Sequence, residues 1–442
     1  MSIGFGLIYL GFKTCQSFSV SVLGALGSLS MSISYFVYAI ANFFVPALIS
    51  LFPNERIPMI IAGMEFPIYL LTFVYVIPAL CLSWGAIHGI MSALFWTAQG
   101  VYLARNSTKE DRGKKAGRFW TVYMLGSVIG NFGAYLLLQS FGVGGGSSGW
   151  NGTTSLLFLA AGAIGFIGGL ILCETGEPEG TIEDTNNKTK TINRSLEDNK
   201  NTLKTSLLEN GEKNSISETI KEKESKTVLI KRNFYEIKER IVNVGKMLIS
   251  KPMIYLLPFF LNLGVSNVWI FSMFNRQIDN SSSVGIYMSI YSLIEVLLSY
   301  PQGQFTDKYG SKLIITAGLA IECIGLVTCF LGEFWQSYFL IIPYILMAIS
   351  DSVYQNQSMV LVGNSFSKEE QATAISVFRM LQSVGGGFCY LISPLFLETG
   401  KIQATPGIFF IEACIPLVLT ILSYILYLKF DYYVNRPLKS VI

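Results

Sequence analysis

The chain has 442 residues, 51% of them hydrophobic and 14% charged, with a mean hydropathy of +0.48. That balance excludes a soluble globular enzyme domain and identifies a polytopic membrane protein. The net charge of +3 is too small to build a nucleic-acid-binding surface; what matters is where the cations fall relative to helix ends.

No basic segment precedes the first apolar run, so no cleavable signal peptide is expected and the first helix should act as its own insertion signal. Polar turns cut the sequence into twelve stretches close to the roughly 20 apolar residues that cross a bilayer. They are 3–23, 30–52, 57–77, 80–104, 118–140, 154–173, 252–275, 284–302, 312–331, 336–360, 372–396 and 407–429. Six precede a long polar segment and six follow it. The expected organisation is an N-terminal six-helix bundle over 1–173, a cytosolic linker over 174–250, a C-terminal six-helix bundle over 251–430 and a cytosolic tail over 431–442.

The linker holds 14 acidic and 14 basic residues and few aromatics. Such a segment buries too little apolar surface to offset its ordering entropy, so Gly180 to about Lys231 is expected to be disordered. Its end differs. Phe234, Ile237, Ile241, Val244 and Leu248 recur at spacings of three and four, which predicts an amphipathic helix over about 233–250, laid along the cytosolic membrane face before Pro252 opens span seven.

One set of alternate loops carries Arg56, the run from Arg105 to Arg118, the linker, Lys308, Lys312, Lys368 and the tail; the other carries only Arg276 and Lys401. The positive-inside rule places both termini in the cytosol, in a plasma-membrane or endomembrane protein. Asn151 and Asn280 head sequons on the opposite side and are expected glycosylation acceptors, whereas Asn106, Asn187 and Asn193 should be unmodified.

An internal repeat joins the halves. Met124 to Gly130 matches Met380 to Gly386 at an offset of 256, and Gln99 matches Gln355 at the same offset. Gly303 to Lys312, GQFTDKYGSK, reads as a ten-residue polar turn between spans eight and nine, with Gly303, Asp307, Lys308, Gly310 and Lys312 in the places of the cytosolic signature loop of major facilitator transporters. Asp307 should accept hydrogen bonds from a neighbouring helix start, and the two lysines should meet headgroups or helix ends. The first-half counterpart, Leu51 to Ile57, keeps little beyond a lone basic residue.

Further runs narrow the resemblance: Phe95 to Leu103 ending span four, Gly117 to Trp120 opening span five, Ser350 to Gln357 in span ten, and Ala374 to Ser383 in span eleven. Together they resemble the uncoordinated-ninety-three (UNC-ninety-three) family of the major facilitator superfamily, most closely its major-facilitator-domain-containing protein eleven branch. The resemblance implies an all-α integral membrane protein with the twelve-helix major facilitator fold in two pseudo-symmetric six-helix halves. It also implies a regulator or chaperone of other membrane proteins, with a potassium channel as one such partner. The competing expectation is a secondary active carrier of a small solute, proton-coupled through intramembrane carboxylates.

Ionisable residues inside spans are costly and are functional candidates by default. Glu295 mid-span in eight and Asp351 near the middle of ten should face a hydrated cavity or a cation, for which Lys13 in span one is the candidate. Such a pair reads either as a coupling element or as a fixed bridge between the halves. Arg379 in span eleven reads as a ligand for a helix end or a lipid headgroup. Glu65 and Glu412 read as snorkelling toward the membrane faces, and Glu322 has no assignable face. His88, the single histidine, reads as a hydrogen-bonded packing residue rather than a proton relay. Gln99, Gln355, Asn356 and Gln357 read either as amides lining one cavity or as interhelical bonds worth about 0.6–2 kcal/mol each.

The seven cysteines lack metal-ligand spacing and read as buried apolar residues. No nucleophile elbow, zinc-protease helix, paired C-x-x-C or nucleotide-binding run occurs, so no enzyme, metal or cofactor chemistry is expected.

Overall fold

The computed structural model describes residues 1–140, 152–177, 237–278, 281–330, 340–393 and 406–435. Span one is Ser2–Leu23 and span two is Ala25–Ala41, followed by a short helix, Val45–Ser50. Span three is two short helices, Arg56–Gly63 and Glu65–Leu71. Spans four to six are Pro78–Arg105, Arg112–Ser140 and Gly152–Cys173. Span seven runs from Lys251 to Val268, then continues through a π-helical turn, Trp269–Phe274, and a short 3-10 turn, Asn275–Gln277. Spans eight to twelve are Ser281–Tyr309, Ser311–Phe330, Ile341–Ser365, Gln371–Ile392 and Pro406–Asn435. Among the described residues there is no strand; in hydrocarbon a helix satisfies its backbone groups internally.

Eight described helices are long and apolar enough to cross a membrane by themselves. The remaining spans fall short for physical reasons. Span two has 17 residues, span three is interrupted at Met64, and spans one and ten carry polar runs such as Lys13 to Ser17 and Ser350 to Ser358. Those polar residues are turned inward: Lys13, Thr14, Gln16, Ser17, Asp351 and Asn356 are all buried. Burial also sorts inner from outer spans. The most apolar windows of spans seven and eleven are 78% and 72% buried, that of span twelve 28%.

The sequence repeat survives in three dimensions. A Cβ added to Gly126 would collide with the Gly6 carbonyl oxygen, so spans five and one cross backbone to backbone. In the second half a Cβ on Gly264 would collide with the carbonyl oxygen of Gln382, the residue that the 256-residue offset pairs with Gly126. The crossing of spans seven and eleven repeats that of one and five, with the glycine on the other helix.

The halves meet most extensively through two helix pairs. Span two meets span eleven from Ser28, whose Oγ donates to Tyr390 O at 2.6 Å, through Ser32 to Gly387 O at 3.2 Å, to Asn42, whose carbonyl accepts from Ser376. Span five meets span eight through Ser289 Oγ to Val128 O at 3.2 Å, Ser127 with Ser292 at 2.7 Å, and the tight approach of Gly113 to Gly303. Both ends of the molecule are therefore fastened.

Two sequence expectations change here. Gly303 to Tyr309 is not loop: span eight stays helical through Tyr309, and Gly310 alone forms the turn, with φ +80 and its N–H bonded to Thr306 O at 2.8 Å. The polar run can remain helical because its side chains find partners. Asp307 accepts the N–H groups of Gly113 and Lys114 at 2.8 and 2.7 Å, in the first turn of span five. Gln357 Nε2 donates to Thr306 Oγ1 at 2.7 Å. Second, residues 237–248 are helical, but Val244 and Met247 are buried in a cluster with Met253, Leu256, Phe259 and Phe430. Protein covers the middle of the apolar stripe that was expected to lie on the membrane face.

The first-half turn keeps more than a lone base, because buried Glu55 pairs with Arg105 at 3.0 Å. Cys173, expected to be buried, is exposed. The expected disordered linker, Phe234, and the sequons at Asn151 and Asn280 lie outside the described residues.

Candidate functional site

A central cavity of about 70 Å³ lies between the halves. Spans one, two, four and five supply Tyr9, Lys13, Tyr35, Tyr38, Trp96, Trp120 and Tyr123; spans seven, ten and eleven supply Asn267, Gln355, Arg379 and Gln382. The aromatic wall is rigid. Trp96 stacks on Trp120 with centroids 5.7 Å apart and meets Tyr9, Phe119 and Tyr123 edge-on, while its Nε1 donates to the Tyr9 hydroxyl. Such edge-to-face and offset-stacked contacts fix ring orientation beyond simple burial.

Lys13, Glu295 and Asp351 come together beside this cavity. Glu295 and Asp351 are 1% and 6% exposed and lie within electrostatic reach of each other. Asp351 also accepts from Asn267 Nδ2 at 2.7 Å, Tyr291 hydroxyl at 2.9 Å and Gln355 Nε2 at 3.3 Å. Lys13 forms no ion pair among the described residues. Its Nζ sits 4.3 Å from the centroid of Phe271, on the π-helical turn, within electrostatic reach of both acids. The bond is a cation–π contact plus a field, not a direct bridge.

Arg379 lies on the opposite side from lipid, contrary to the headgroup expectation. It is 2% exposed, stacked over Trp96 at 4.5 Å and Phe378 at 4.6 Å, and its Nη1 donates to Gln382 Oε1 at 2.8 Å. Its position one face round from the lipid side was not readable without knowing which face of span eleven meets span four.

Glu65 and Glu412 do not snorkel. Glu65 is 6% exposed and accepts from or donates to His88 Nδ1 at 2.8 Å, with Ser92 Oγ at 3.1 Å from the other ring nitrogen. The imidazole is stacked on Tyr69, centroids 4.3 Å apart, and flanked by Phe12 and Phe66. His88 is thus a bonded packing residue with an acid attached. Glu412 is fully buried and takes Arg276 Nη2 on Oε2 at 2.6 Å, while Arg276 Nη1 donates to Ser393 O and Oγ at 2.8 and 2.7 Å. Arg276, counted above as an outer-loop cation, is an interior residue. Glu322 is ringed by Asn262 Nδ2 at 3.1 Å and Tyr354 hydroxyl at 2.6 Å, a network that pins spans seven, nine and ten.

The four amides do not converge. Gln355 lines the cavity, but Gln99 does not, and both polar atoms of its buried side chain lack partners among the described residues. Asn356 donates to Ser299 O at 3.2 Å and Gln357 to Thr306, so these two bind span ten to span eight. The residues that sequence reasoning passed over are the tyrosines and tryptophans of the wall. Their signal is a polar-tipped aromatic at mid-span, away from the interfacial belt where Trp and Tyr usually sit.

A family model described as ion channel regulatory protein UNC-93 matches residues 21–415. Over 435 residues the chain is 21% identical to UNC93-like protein MFSD11 of Xenopus tropicalis, covering 90% of this chain and 89% of that protein. It is 26% identical over 201 residues to cationic amino acid transporter 8 of Plasmodium berghei (strain Anka), 44% of this chain and 38% of the other. Among solved structures, the major facilitator proton:xylose symporter XylE bound to 6-bromo-6-deoxy-D-glucose superposes with a TM-score of 0.63 at 14% identity, covering 97% of this chain and 94% of that one. At that identity the likeness is one of fold, and the fold is that of the major facilitator superfamily.

Proposed function

Because the chain belongs to the UNC-93 family and carries the major facilitator fold, we propose that it is a solute carrier that exposes its central cavity to the two sides of the membrane in turn. The observation that carries this reading is the buried Lys13–Glu295–Asp351 cluster at the contact of the halves. Ionisable groups are too costly in a bilayer to persist as filling, and two buried carboxyl groups beside a lysine are a natural coupling element. Both termini are assigned to the cytosol from the positive-inside pattern.

The test is uptake from a mixed panel of labelled sugars, amino acids and organic acids into proteoliposomes containing only this protein, with an imposed proton gradient. Accumulation that depends on the gradient and is lost in Glu295→Gln is expected. Absence of uptake of every panel member by folded wild-type protein would sink the carrier reading.

A second reading, that the chain regulates or chaperones another membrane protein such as a potassium channel, is supported by the family description. Co-purification with a channel whose current changes on depletion of this protein, without uptake, would establish it.

A further inference from the structure

We propose that the central cavity is a binding site for a small organic carboxylate, held side-on by Arg379. The proposal rests on the carrier reading for its biological use, but the site itself is a matter of binding. The interior offers an internal comparison. Arg276 is buried and matched by the Glu412 carboxylate. Arg379 is equally buried, yet no carboxylate pairs with it among the described residues. Glu65 is engaged by His88, Glu322 by Asn262 and Tyr354, and Asp351 by Asn267 and Tyr291.

The edge left open is specific. Nη1 is taken by Gln382, and Trp96 and Phe378 lie against the guanidinium, while Nε and Nη2 are buried without a partner among the described residues. Those two N–H groups point in parallel, the fork that matches the two oxygens of a carboxylate.

Among the described residues, open donors also outnumber open acceptors in the neighbouring wall. Trp120 and Tyr38 also line this cavity and are at least nine-tenths buried, and the Trp120 Nε1 and the Tyr38 hydroxyl have no partner among the described residues; the one open acceptor of the lining is Gln355 Oε1. An indole N–H can only donate. Two open donors and one open acceptor beside an unmatched cation favour an acceptor-rich anion over a cation. The volume of about 70 Å³ limits it to a few carbons.

Trp96 and Trp120 make the site its own reporter. Purified full-length protein in detergent is titrated with acetate, lactate and pyruvate, against lactamide as the uncharged match and phosphate and chloride as inorganic anions. A saturable tryptophan-fluorescence change with at least one of the three carboxylates but not with lactamide is expected. Affinity should fall at least tenfold in Arg379→Lys, which keeps the charge and loses the fork, and severalfold in Trp120→Phe, which keeps the ring and loses the donor. No response to any of the three carboxylates, an equal response to lactamide, or undiminished binding in folded Arg379→Lys would each overturn the proposal. So would binding of phosphate or chloride alone. The two readings separate cleanly: gradient-driven uptake of a neutral solute without carboxylate binding keeps the carrier and removes this site, whereas carboxylate binding without uptake keeps the site and removes the carrier.

Discussion

Asp307, near the end of span eight, accepts the backbone N–H of Gly113 at 2.8 Å across 194 residues of sequence. Its second oxygen takes Lys114 N–H, so one side chain both caps span five and clasps the two halves. Asp307→Ala should lower stability by about 0.5–2 kcal/mol, the range for a lost helix cap. Thermal unfolding in detergent should show the loss, and Asp307→Asn, which retains an acceptor oxygen, should show a smaller one. Equal melting of wild type and Asp307→Ala would refute the clasp.

Gly126 and Gly6 meet backbone to backbone, and the obstacle is a carbonyl rather than a flexible side chain. Gly126→Val should therefore cost about 1–3 kcal/mol or more, as overpacking does, and should broaden or abolish the monodisperse peak in fluorescence-detected size exclusion. Gly133→Ala, on the same helix with no heavy atom near the added carbon, should leave that peak unchanged.

Glu65 and His88 are coupled through a buried hydrogen bond of 2.8 Å. Leaving one partner alone costs roughly 1–3 kcal/mol, so Glu65→Ala and His88→Phe should each destabilise while the double variant costs less than their sum. A double-mutant cycle with zero coupling energy would mean that stacking on Tyr69, not the bond, holds the ring.

Lys13 faces Glu295 and Asp351 through its field and stands over Phe271. Lys13→Met should destabilise by less than the roughly 3–5 kcal/mol of a broken direct buried pair, and adding Asp351→Asn should recover part of the loss. Additive losses in the melting temperature would show that the charges do not act together.

The fold was legible because hydropathy and the 256-residue offset both report on helix count and order. The site was legible only as a set of ionisable positions. Lys13, Glu295, Asp351 and Arg379 stood out because charge within a span is rare, but their faces depend on which helices touch. Glu65 and Glu412 were misread for the same reason. Their partners lie 23 and 136 residues away, and an acid whose partner is unseen looks like one reaching for water. The polar run from Gly303 looked like loop because turn composition does not record that Asp307 and Thr306 find partners on other helices.

The fastenings at the two ends of the molecule differ in what replaces them when they part. Ser28 and Ser32 close one end by donating to carbonyls of span eleven. A hydroxyl that loses such an acceptor can rotate onto the carbonyl four residues back in its own helix, so this end exchanges one bond for another almost without loss. The Asp307 carboxylate has no equivalent within span eight, whose N–H groups are already used along the helix, and Gly113 and Lys114 lose their cap when it withdraws. On the carrier reading proposed above, separation of the halves is less uphill at the serine end, and the signature-turn end would serve as the hinge side.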